Sequence, residues 1–157
     1  MKRSIRYPIF LFATLFLASL LLTSVSIAEP LNEIELYLDG QKLPTTVAPY
    51  IDAEAHVTMV PLRVISENLG AKVRWTQKTR TVDIYRENTH ISMTVGDLHA
   101  HVNDRLAQLS ASVQLHHHTT MVPVRFVAET FGIRVDWQSS TRSVHLPRPG
   151  RAPPLRG

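Results

Sequence analysis

The sequence predicts an α+β fold of two hairpin–strand–helix–hairpin repeats, with antiparallel sheets packed on short helices. Three observations carry that expectation. Sliding the chain against itself by 62 residues lays Thr58-Met59-Val60-Pro61-Leu62-Arg63 on Thr120-Met121-Val122-Pro123-Val124-Arg125, and 12 of 25 positions agree between 58–82 and 120–144. Apolar residues recur at helical spacing in each copy. Outside those two stretches they alternate with polar residues, the period of a strand with one buried face. Two copies are too few for a solenoid, so a pseudo-symmetric pair or one fused core is expected.

The elements follow in order, with repeat 1 over about 34–86 and repeat 2 over about 90–146. Ile34, Leu36 and Leu38 alternate with Glu35 and Tyr37, and Asp39-Gly40 supplies a hairpin turn. Pro61 and Pro123 stand where a first helical residue belongs, because fixed φ suits that position and no N–H is needed there. Leu62, Ile65 and Leu69, and likewise Val124, Val127 and Phe131, put one apolar stripe along each helix. Gly70 and Gly132 fall where a left-handed residue ends a helix. Val73 and Trp75 alternate with Lys72 and Arg74, as Val135 and Trp137 do with Arg134 and Asp136, so both tryptophans are expected in the core. Polar turns lead to second strands at Val82-Asp83-Ile84 and Ser143-Val144-His145-Leu146. Between them Ile91, Met93, Val95, Leu98, Ala100 and Val102 form a hairpin pattern that turns at Asn103-Asp104. The connections are too short for crossovers, which predicts antiparallel pairing throughout.

The chain has 157 residues, no cysteine, 44% hydrophobic residues and a formal charge of +4. Without cysteine there is no disulfide scaffold, thiolate metal site, cysteine nucleophile or lipidated cysteine. The positive charge raises nucleic acid or anionic membrane as partners, until its location is considered. Lys2, Arg3 and Arg6 precede an uncharged stretch from Tyr7 to Ala28 that closes on Ser26-Ile27-Ala28. That pattern reads as a signal peptide over 1–28, with a retained anchor as the alternative. Residues 147–157, PRPGRAPPLRG, read as a disordered Pro/Arg tail. Setting both aside leaves 11 bases against 13 acids over 29–146, a balance of −2, and nucleic-acid binding loses its support.

The block VPLR-x5-LGAKVRW-x3-TRTV (Val60 to Val82) and its copy VPVR-x6-GIRVDW-x3-TRSV (Val122 to Val144) resemble the copper amine oxidase N-terminal, or stalk, domain. The resemblance covers about 34–146 and implies a non-catalytic module of secreted envelope proteins. In amine oxidases the copper and quinone belong to a separate, larger domain, and no Asn-Tyr-acid setting or barrel-sized length is present here. The family usually carries Asn-Gly at the turn before Thr-Met-Val-Pro. Here Ala55-His56 and His117-His118 stand instead, leaving the turn geometry open.

Catalytic motifs are absent: no phosphate loop, no Gly-x-Ser-x-Gly, no His-Glu-x-x-His. The eight histidines are the remaining chemistry. His99 and His101, two apart on a strand, project from one side about 7 Å apart and make a metal candidate with His116, His117 and His118 at a turn. The structural reading of these histidines is preferred, with no cofactor expected. Their titration would also reverse the sign of the domain's charge, a composition-based case for pH sensing. Arg63 with Glu67, and Arg125 with Glu129, are read as pairs tethering helix to sheet. The functional expectation is an exported, non-catalytic binding or spacer module meeting an envelope protein or cell-wall polymer, with self-association through edge strands as a further route. The alternatives are a histidine-based metal-binding protein and an accessory domain of a longer wall hydrolase or oxidase.

Overall fold

A computed structural model describes residues 33–150. The segments read as a signal peptide, 1–28, and as the end of the tail, 151–157, lie outside the described residues. Along the chain run β1 (Glu35–Leu38), β2 (Gln41–Lys42), β3 (Tyr50–Ile51), β4 (Thr58–Pro61), α1 (Leu62–Asn68), β5 (Lys72–Thr76), β6 (Thr81–Arg86) and β7 (Thr89–Thr94). They are followed by β8 (His99–Val102), β9 (Arg105–Gln108), β10 (Gln114–His116), β11 (Thr119–Pro123), α2 (Val124–Thr130), β12 (Asp136–Gln138) and β13 (Ser143–Leu146). This is an α+β fold, mostly antiparallel, with two short helices.

The strands form three sheets, ordered β12-β13-β1-β2, β10-β11-β4-β3 and β5-β6-β7-β8-β9. The last is a meander of consecutive hairpins. In the middle sheet β4 runs antiparallel to β11 with Met59 opposite Pro123, Val60 opposite Val122 and Pro61 opposite Met121. The expectation of wholly antiparallel pairing fails at one place: β1 lies parallel to β13, from Glu35 beside Ser143 to Leu38 beside Leu146. Connection length did not constrain this pair, because almost the whole domain separates its strands.

Both helices form where the apolar stripe requires. Leu62, Ile65, Leu69, Val124 and Val127 are buried in one core with Val60, Val122, Ile84, Ile91 and Val144. Each helix starts one residue later than the prolines suggest. Pro61 and Pro123 are the last strand residues and the helix N-caps, their ψ of 112° and 121° being extended. Each helix ends in a Schellman motif. Gly70 N–H donates to Glu67 O and Ala71 N–H to Ser66 O, as Gly132 donates to Glu129 O and Ile133 to Ala128 O. Both glycines carry positive φ, 81° and 72°. A second small apolar cluster holds Met59, Met121 and Ala111.

Four residues of the expected tail are structured instead. Arg148 donates from its backbone N to Asp39 Oδ1 at 2.8 Å and from Nε to Asp39 Oδ2 at 2.6 Å, fastening 147–150 to the β1–β2 turn. Proline composition predicted no packed structure here. A nearly buried carboxylate supplies what apolar periodicity does not, since charge-assisted bonds are the stronger kind.

Candidate functional site

The tryptophans stand on outer strands. Trp75 pairs with buried Val82 and Trp137 with buried Val144, so both share the core-facing side of their sheets. Yet β5 and β12 are edges, and an edge strand is covered from one side only. Trp75 is half-buried and Trp137 is 38% exposed. The expected core packing holds for Trp75, which packs half-buried against the main core, and is corrected for Trp137: alternation fixes which face a residue shares, and strand order decides how well that face is covered.

Around Trp75 lies a groove of about 430 Å³. One wall is the β5 edge with Val73 and Trp75, and another is the first turn of α1 with Arg63 and Val64. Leu115 and His118 from the β10–β11 hairpin complete it, and Leu115 is 43% exposed. The indole Nε1–H donates to Gln77 Oε1 at 2.8 Å, fixing the ring. Arg63 and Arg80 also line the groove, and none of its lining residues is acidic. Tryptophan and arginine, both present in this wall, are the side chains that carry most of the energy at protein interfaces.

Arg63 bonds Glu67 at 3.1 Å and Arg125 approaches Glu129 at 3.6 Å, each pair exposed and within one helix. The expected tether from helix to sheet is thus absent from both. The i,i+4 spacing joins neighbouring turns of one helix, worth about 0.3–0.5 kcal/mol.

The candidate metal residues fall in two different sheets. His99 and His101 are exposed on β8 with Ala100 buried between them, as alternation requires. His116 ends β10, tilted against Tyr50 and edge-on to His117 at 4.4 Å. Among the described residues no group of three or more His, Asp or Glu side chains is brought together to hold a metal ion. His117 and His118 form a two-residue turn with φ of 46° and 61°, the left-handed conformation that Asn-Gly adopts readily. The turn geometry therefore survives there, at a steric cost of about 1–2 kcal/mol per residue. At Ala55-His56 it does not. A six-residue loop replaces it, organised by Asp52 Oδ1, which accepts from Glu54 N–H and Ala55 N–H.

Two histidines passed over in the sequence have partners. His90 stacks on Tyr85 at 4.4 Å and lies 2.8 Å from Asp83, while His145 stacks on Tyr37 at 4.8 Å and bonds Ser143 Oγ. Each contact joins neighbours in the ladder or along a strand, so only the register reveals the set. Asp52 also accepts from Gln114 Nε2 at 2.8 Å, and Gln114 Oε1 accepts from Tyr50 at 2.6 Å. Backbone N–H donation from Ala55 and then the Gln114 bond hold the Asp52 carboxyl below its ordinary range. Glu35 is lowered likewise, first by its bond from Lys42 at 2.5 Å and then by Tyr37. Burial raises the Tyr50 phenol.

Among proteins of known description, one called "Protease inhibitor" from Brevibacillus choshinensis is 28% identical over 109 residues, 69% of this chain and 33% of that protein. The chain thus spans about a third of that relative's length. Residues 37–146 match the family model of the copper amine oxidase N-terminal domain. With Val60–Arg63 and Val122–Arg125 entering the paired Gly-capped helices inside that match, the chain belongs to the copper amine oxidase N-terminal domain family.

Proposed function

We propose that the chain is an exported, non-catalytic module of the cell envelope that binds a protein partner and acts as a spacer. The observation that carries this reading is the groove beside Trp75, where a fixed indole, aliphatic side chains and two arginines face solvent together. The family contributes its N-terminal domain over 37–146, without a match to an oxidase's catalytic part. A relative described as a protease inhibitor favours a protein over a wall polymer as the partner. The two-repeat organisation belongs to the same reading. Positive φ recurs at His56 and His118, at Gly70 and Gly132, and at Arg80 and Arg142, each pair 62 apart. The β4–β11 ladder supports a pseudo-two-fold through Val60 and Val122.

The test is fractionation of the full chain expressed in a bacterial host. The expected result is an extracytoplasmic product beginning at Glu29 that envelope proteins retain after the wall polymer is digested. A cytoplasmic product, or one retained by neither proteins nor wall, overturns the reading.

A further inference from the structure

We infer that the β5 edge and its groove take an extended, acidic peptide segment of a partner protein by strand addition. The inference rests on the proposed protein-binding role and names the surface and the ligand chemistry.

β5 ends its five-stranded sheet, so among the described residues no strand lies beside its outward backbone N–H and C=O groups. An added strand forms main-chain bonds with such an edge and sends alternate side chains to one face. On the core-facing side, the edge opens directly into the groove. Val73 and Trp75 stand on one wall and Val64 and Leu115 opposite, so apolar side chains of the incoming segment have a receiving surface. On the other face β5 presents Lys72 and Arg74, both exposed, and the turn that follows adds an exposed Lys78, while Arg80 borders the groove itself. From Lys72 to Arg80 the chain carries four bases and no acid. Glu67 shares the charge of Arg63, and Asp83 lies opposite Arg74, but no carboxylate lines the groove itself. The segment that fits is therefore one alternating apolar and acidic residues.

Charge selects this occupant over a second copy of the chain. Pairing β5 with another β5 would set Lys72, Arg74, Lys78 and Arg80 against themselves, and like charges across a ladder are destabilising. Lysine on an edge also discourages indiscriminate pairing, which leaves an acidic strand as the accepted one.

The probe is an eight-residue fluorescent peptide alternating glutamate and valine, titrated by anisotropy into the full chain in mild detergent. Its controls are the same residues in two blocks and the lysine–valine counterpart. The expected result is binding of the alternating acidic peptide at least tenfold tighter than either control, with amide shifts confined to β5 and the groove. The double variant Arg63→Gln, Arg80→Gly should weaken it tenfold or more. It breaks only an exposed helix pair and puts glycine at a φ of 53°, so it is built to fold. Equal binding of the lysine peptide, shifts at β9 instead of β5, or concentration-dependent self-association through β5 each overturns the inference. If the double variant is still retained by envelope proteins in the fractionation test, the groove assignment fails while the binding role stands; if even the unaltered chain is not retained, the role itself fails.

Discussion

The segments around α1 and α2 carry the same sequence signature and finish differently. α1 and α2 share their capping, their stripe and their exposed Arg–Glu pair, because each depends on residues within one helix. The turns ahead of them diverge. His117-His118 keeps a two-residue hairpin, whereas 52–57 is a six-residue loop tied by Asp52. Trp75 meets the β10–β11 hairpin across a groove, while Trp137 at the matching position is 38% exposed. The lesson is that elements governed by local chemistry repeat, and surfaces assembled from distant segments diverge.

The largest effects at α1 and α2 are expected in the core. Ile65→Ala is expected to destabilise by about 2–5 kcal/mol in urea unfolding, and Val127→Ala by about 1 kcal/mol less, one methylene fewer being removed. Both side chains are fully buried, so a near-neutral result at either would show that its half contributes little to a shared core.

A sharper contrast lies one residue along each helix. Ser66 is fully buried with no partner for its hydroxyl among the described residues, and its counterpart 62 residues on is Ala128, equally buried. Ser66→Ala should therefore stabilise by about 1 kcal/mol, whereas Ala128→Ser should cost about 1–3 kcal/mol. Opposite signs in thermal melts are the expected outcome; two losses would mean that the Ser66 hydroxyl has a partner.

Gly70→Ala and Gly132→Ala should each cost about 1–2 kcal/mol and, above all, the same amount. A Cβ meets nothing within 4 Å at either position, leaving backbone strain as the shared cause. Unequal losses in paired urea titrations would place the difference in the surroundings.

The smallest effect concerns pH. Asp52 and Glu35 have depressed folded values, so their contribution is present above about pH 4 and lost as pH falls through those values. Asp52→Asn should flatten the acid limb of Tm between pH 2.5 and 5 without abolishing it, because Glu35 remains. An unchanged acid limb would mean that the Asp52 loop is not held by its carboxylate.

Much of this was legible in the sequence. The stripe Leu62-Ile65-Leu69 and the glycine after it specify helix, face and end by rules acting within a few residues. Histidines 99 and 101 were correctly set on one exposed side for the same reason. What could not be read was which strand lies beside which. The edge position of β5, and so the exposure of Trp75, depends on strand order. The stacking of His90 on Tyr85 depends on register, and the fastening of Arg148 depends on Asp39 more than a hundred residues earlier. Trp75 and Arg63 were both visible as repeated residues, but their meeting in one groove was not.

The parallel pairing of β1 with β13 sets a timetable for folding. Beyond the two-residue β2, β1 has no neighbour in its sheet until Ser143–Leu146 exists. Closing so long a loop costs entropy that only the finished contacts repay. During synthesis the domain cannot complete this sheet until its final strand has emerged, and a chain cut after Ser139 should remain open to proteases however well its helices form. If the chain is exported as proposed, such late closure would keep the polypeptide threadable until its passage is over.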